Sequence, residues 1–290
     1  MKPADIADEL LLGGVLLLGG TLLGGALRSA SQQRSRAMNT PTANNASGII
    51  RAFGGQFPAP LLIHQDNDFP SEGKRQAVTQ IAVHESVGHD GDVHEDKPGE
   101  QDDATERTLR KRGLGLHFMV GINDDTGQVE VVQHNDLHDE LHHTGGPVND
   151  LSVGIEIIGP YYNAKRHWSK TIDAPWAHKG RYALALPSQC EALWGIITAL
   201  TDASARGAPG MKIPKQFWGI ESGNRFRMGP MPKAFSRSTS GILAHHQYGH
   251  HADGAFPVLY CVLRAGGRSP DAAYQRAVQL ATGSTGLVQL

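Results

Sequence analysis

The stretch GILAHHQYGHHADG, residues 241–254, delivers four of the chain's fifteen histidines and an aspartate directly behind a short apolar run. Ile242 and Leu243 read as a buried strand that sets the backbone at His245. Gly249 and Gly254 let the following loop fold back and return Asp253 towards it. Neutral imidazole and carboxylate are the donors a cation such as zinc takes, so a His at a strand end and a loop Asp supply two of the three protein ligands of a catalytic site. The third must come from elsewhere. His84 is the candidate, because it ends the comparable run QIAVHES, residues 80–86, where alternation puts Ala82 and His84 on one face of a strand.

Working outward, LSVGIEII, residues 151–158, is almost wholly apolar and reads as a central strand buried on both faces. Glu156 is the exception in it. A carboxylate is costly in such a place unless it is paired or employed, and a metal site alongside would employ it. Between these strands lie His134, His138, His142 and His143, partly at helical spacing, in a segment with few apolar residues. Metal ligands need rigid support, so His142 or His143 is expected to face substrate rather than a second metal. His89 and His94, in an acidic loop, read as solvated.

The remaining elements follow from local signals. Asp103 with Glu106 marks the start of a short helix, and LHFMVGI, residues 116–122, with QVEVVQ, residues 128–133, forms a hairpin. Ser188 and Glu191 suggest a capping box ahead of the stripe Leu193, Ile196, Ile197 and Leu200, and Pro270 opens a last helix. The long segment from Ser204 to Ser240 reads as irregular.

The chain has 290 residues, long enough for a sizeable core, and is expected to divide into residues 1–28, 29–74 and 75–290. Leu10 to Leu27 is an uncharged run broken by Gly-Gly pairs at Gly13, Gly19 and Gly24. It suits a weak membrane anchor or a glycine-faced helix that associates with itself. Residues 29–74, rich in Ser, Gln, Asn, Pro and Gly, read as a linker or an arm along the domain. With 27 Lys and Arg against 29 Asp and Glu there is no basic field, which sets nucleic acid aside as a partner. Two cysteines, Cys190 and Cys261, are too few for a disulfide framework.

VHES at His84, LGLHFMV at Leu114, HHTGG at His142, NDLSVGIEI at Asn149, and His245 with Asp253 come in an order and approximate spacing that resembles the type 2 N-acetylmuramoyl-L-alanine amidases. That family includes the peptidoglycan recognition proteins. The resemblance spans about residues 78–260 and is carried by ordered co-occurrence, since each motif alone is short. It implies an α/β fold, a mixed central β-sheet flanked by helices with a zinc cleft at the strand ends. It also implies zinc held by His84, His245 and Asp253, with Glu156 as general base. His251 stands where family members carry Lys or Thr to steady the oxyanion, Leu116 where the pattern has tyrosine, and DGAFP where Pro-Gly usually follows the last ligand. The implied substrate is peptidoglycan, with His142, His143 and Asn149 as contacts, which puts the protein in the cell envelope or outside the cell. A non-catalytic peptidoglycan-binding module, and a structural or membrane-inserting part of a phage particle or secretion apparatus, are the other classes the residues allow.

Overall fold

The strand Ser152–Ile158 shows why the sheet has two unlike faces. Val153, Ile155 and Ile157 enter a large apolar cluster, whereas Ser152, Gly154 and Glu156 alternate onto the other side, where only Ile158 joins a second, smaller cluster. One face is thus apolar along the strand, and the other is mostly small or polar up to Ile158.

The computed structural model describes residues 48–66, 68–86, 104–122, 128–145, 148–158, 171–177, 180–231, 238–248 and 253–290. In chain order the elements are β1 (Ile49–Ala52), β2 (Gly55–Pro58), β3 (His64–Gln65), β4 (Gly73–Lys74), β5 (Gln80–Ser86), α1 (Ala104–Lys111), β6 (Phe118–Ile122), β7 (Val129–Gln133), β8 (Asp139–Glu140) and β9 (Ser152–Ile158). They continue with β10 (Thr171–Asp173), β11 (Arg181–Ala183), α2 (Pro187–Ala205), β12 (Ile220–Glu221), β13 (Arg225–Arg227), β14 (Gly241–Ala244), α3 (Ala255–Ala265), α4 (Pro270–Ala281) and β15 (Leu287–Gln289).

The main sheet has six strands in the order β14-β5-β9-β6-β7-β3. The first four run parallel, β7 runs antiparallel to β6, and β3 closes the edge parallel to β7. The fold is therefore α/β with a mixed central sheet, as expected, and β9 lies inside it between β5 and β6. Leu193, Ile196, Ile197 and Leu200 of α2, Val258 and Leu259 of α3, and Ala273 and Ala277 of α4 share the large cluster with Ile81, Val83, Val153 and Ile155. On the opposite face Leu109 of α1 packs against Phe69, Met119, Val132, Leu141 and Ile158.

Several expectations need correction. The domain does not start near Arg75. Ile50, Ile63 and Phe69 are buried, β1 pairs with β2, and β3 hydrogen-bonds to β7. These strands are two to four residues long; β3 and β4 pair with strands far along the chain, and the local β1–β2 hairpin is tied to a distant one where Arg51 N–H donates to the side chain of Gln133. Periodicity cannot register that. The helix α2 starts at Pro187, so Ser188 is not its cap. Gln189 Oε1 instead accepts from the Leu186 amide at 3.0 Å, and Glu191 pairs with Arg264 at 2.9 Å. The segment from His134 to His143, whose histidines are partly at helical spacing, holds β8, turns and extended chain, and His134 is fully buried. Part of the segment from Ser204 to Ser240 is also ordered, since β13 pairs with both β12 and β15.

Cys190 and Cys261 are both free and buried. Among the described residues no helix is long and apolar enough to cross a membrane. The Leu10–Leu27 run, residues 29–47 of the arm, His89, His94 and the hairpin turn at 123–127 lie outside the described residues.

Candidate metal centre

His84 stands near the C-terminal end of β5. Because β14 runs parallel beside β5, with Ala244 opposite Val83, the next residue along β14 emerges beside His84, and that residue is His245. It opens a 3-10 turn, His245–Tyr248, rather than extending the strand. The loop beyond is tied back at its far end. His246 N–H donates to the Asp253 carbonyl at 2.7 Å, and the Glu85 amide donates to Asp253 Oδ1. Gly254 then starts α3 at φ 76, where an added Cβ would lie 2.1 Å from the Val83 carbonyl oxygen, so only glycine lets Asp253 sit this close to β5.

The result is a tight triangle. His245 Nδ1 is 2.7 Å from Asp253 Oδ2 and His84 Nδ1 is 4.0 Å from the same oxygen. One donor atom from each of His84, His245 and Asp253 lies within 4.8 Å of the others. Two imidazoles and one carboxylate at this separation fit a zinc ion with a further position open. His84 is nearly buried, while the side chains of His245 and Asp253 retain 13% and 22% of their exposure, so the triangle opens towards solvent on their side.

Glu156 follows from register. It is the direct partner of His84 across the β5–β9 ladder and of Met119 across the β6–β9 ladder, on the face that carries His84, and it is 6% exposed. Neighbouring strands lie about 4.8 Å apart, so the carboxylate stands beside the first imidazole.

The other expected contacts, His142, His143 and Asn149, lie together next to the triangle. His143 is buried with its ring against His84, Nδ1 to Nε2 at 3.0 Å. Burial, reinforced by the Arg75 charge, pushes its imidazole down to about 3. His142, the adjacent residue, is half exposed with its Nδ1 3.8 Å from Glu72. Asn149 clamps the turn beneath them: its Oδ1 accepts from the His143 amide at 3.1 Å and from the Thr144 amide and hydroxyl at 2.9 and 2.8 Å. His251 lies outside the described residues.

Sequence reasoning missed two residues that support this region. Arg75, only 5% exposed, donates from Nε to the Leu137 carbonyl at 2.9 Å and from Nη1 to the Asn149 and Ser152 carbonyls at 3.0 and 2.5 Å. Burial lowers its guanidinium to about 9 against the opposing pull of Glu140 and Asp139. Replacing Arg75 with Ala removes one donor from each of those three carbonyls, of which the Ser152 carbonyl keeps His143 Nε2. It is expected to cost about 3 kcal/mol or more in denaturant unfolding, with part recovered by Lys. Glu85, next to His84 but on the helix-packed face, accepts from the Tyr182 hydroxyl, and burial raises its carboxyl to about 8. Alternation puts Glu85 on the face of Ile81 and Val83, so period two is the signal that could have found it.

A second group, Asp66, Glu106 and His134, also brings donor atoms within 4.8 Å. There Arg110 already holds the Glu106 carboxylate at 2.6 Å, which supplies the neutralising charge a cation would bring.

Among solved structures, the chain is similar to the hydrolase AmiA of Staphylococcus aureus, in complex with its ligand. The TM-score is 0.35 at 10% identity, over 76% of this chain and 82% of that one. It is also similar to the catalytic domain of XlyA, with a TM-score of 0.31 at 19% identity, over 66% of this chain and 88% of that one. No family model matches the sequence, and no curated protein does.

Proposed function

We propose that this chain is a zinc-dependent peptidoglycan hydrolase that cuts the amide between the lactyl group of N-acetylmuramic acid and the L-alanine of the stem peptide. What supports the reading is one juxtaposition: a His, His and Asp donor set converges within 4.8 Å, and a nearly buried glutamate stands in register beside the first histidine. The order of the motifs, which resembles the type 2 amidases, points to the substrate. Cleavage of cell-wall polymer would put the protein at the cell envelope or outside the cell.

His84, His245 and Asp253 are the residues that would hold zinc, which when bound supplies Lewis acidity at the scissile carbonyl and acidifies a water. Glu156 takes the proton that the attacking water sheds. Its protonated carboxyl then gives that proton to the departing alanine nitrogen as the C–N bond breaks, which leaves a lactyl carboxylate and a free amine. His251, two residues before Asp253, is assigned to the developing oxyanion on the strength of the motif alone.

The test is incubation of the full chain with purified sacculi, followed by mass identification of the new ends. Equal numbers of lactyl carboxyl groups and free alanine amino groups are expected. New ends elsewhere in the stem peptide would keep the hydrolase but overturn the bond assigned. Tight binding with no new ends would overturn the enzyme in favour of a binding module.

A further inference from the structure

We propose that His143 is a positioning residue for the metal centre, setting the tautomer of His84 so that its Nδ1 lone pair faces the ion. This role rests on the zinc-site reading above and adds a residue to it.

The hydrogen bonds that set the tautomer begin at Ser152, whose carbonyl and hydroxyl both face His143 Nε2, at 3.2 and 3.0 Å. The carbonyl can only accept. The hydroxyl has a single hydrogen, and the Val148 carbonyl at 2.8 Å takes it, so towards His143 the hydroxyl oxygen is an acceptor too. Two acceptors place the proton of His143 on Nε2. A neutral imidazole carries one N–H, so His143 Nδ1 is an acceptor, and the atom 3.0 Å away from it is His84 Nε2. That atom must therefore be the donor. With its hydrogen on Nε2, His84 has its lone pair on Nδ1, the nitrogen 4.0 Å from Asp253 Oδ2 and so on the metal side. The start of this chain of bonds is itself fixed, because Arg75 Nη1 donates to the same Ser152 carbonyl at 2.5 Å.

Space for the arrangement is written into the central strand. A Cβ on Gly154 would sit 2.9 Å from both Cγ and Nδ1 of His143 and 2.7 Å from Leu116 Cδ2, so glycine at this point lets the imidazole lie against the sheet next to His84. The His84 and His143 ring centroids are 5.2 Å apart at 72°, an edge-on approach that aims one ring nitrogen at the other.

Two measurements on the full chain decide the matter. Long-range ¹⁵N–¹H NMR of the histidine-labelled, zinc-free protein reads the tautomers directly, and both His84 and His143 are expected in the Nε2–H form. An Nδ1–H form at His84 overturns the proposal without any variant having to fold. Zinc affinity is then measured by chelator competition on His84→Ala, His143→Ala and His143→Asn, the last of which keeps an acceptor oxygen near the place of Nδ1. Loss of an outer partner of a metal-bound histidine lowers affinity by about 10–100-fold. His143→Ala is expected in that range and His143→Asn within a few-fold of wild type. Wild-type affinity in His143→Ala, with His84→Ala defective, removes His143 from the centre and leaves the zinc site standing. Wild-type affinity in His84→Ala overturns the zinc site itself.

Discussion

Glu156→Gln is expected to lower turnover on sacculi by about 10²–10⁴-fold while zinc content and melting temperature stay near those of the parent. The amide is almost isosteric with the carboxylate and keeps its hydrogen-bonding capacity, but it takes up no proton at neutral pH. The residue is 6% exposed and in register with His84, so two roles compete for it, proton carrier and structural partner. They separate cleanly. Removing one member of a buried charge pair destabilises by about 3–5 kcal/mol, whereas removing a general base leaves the fold intact. Turnover, bound zinc and melting measured on one preparation distinguish them. A variant that melts early yet cleaves normally when folded would take Glu156 out of the mechanism.

His245→Ala is expected to abolish cleavage and to strip the protein of its zinc, about one ion per chain by analogy with other catalytic sites. His246→Ala, one residue on, should keep the metal. The two differ because the turn that starts after β14 sends them in different directions. His245 Nδ1 meets Asp253 Oδ2 at 2.7 Å, whereas the His246 ring is buried 6.5 Å from that of Trp176. His246 contributes to the loop through its main chain, since its amide holds the Asp253 carbonyl, and an alanine there retains that amide. Elemental analysis of both proteins suffices. Zinc lost from His246→Ala and kept by His245→Ala would mean that the ligand is the other histidine.

Several parts of the site are legible in the sequence alone. QIAVHES alternates with period two, which puts Ala82 and His84 on one face, and LSVGIEII, almost wholly apolar around Glu156, marks a central buried strand that carries one carboxylate. The cluster from His134 to His143 is not legible, because its spacing imitates a helix while its residues form β8, turns and extended chain. There neighbours diverge: His143 turns in to His84 and His142 turns out to Glu72. In extended chain successive side chains point opposite ways, and no local signal says which parity faces inward. The strands from Ile49 to Lys74 escape notice for a related reason. Each is too short to show a period, and β3 and β4 pair with strands far along the chain, β7 and β8.

The sequence by itself determined that Ala82 and His84 share a face of one strand, that helices run through residues 193–200 and from Pro270, and which donor types follow the apolar run at Gly241. Those are local properties, set by backbone period and by the residue that starts or stops an element. Only the tertiary structure decided that β14 lies beside β5 and β9 beyond it. That order brings His84 together with His245, Asp253 and Glu156, and it puts His143 behind His84 across 59 residues of chain. Strand order and side-chain hydrogen bonds depend on which distant segments exclude water from one another, and that choice is made by the packing of the whole domain.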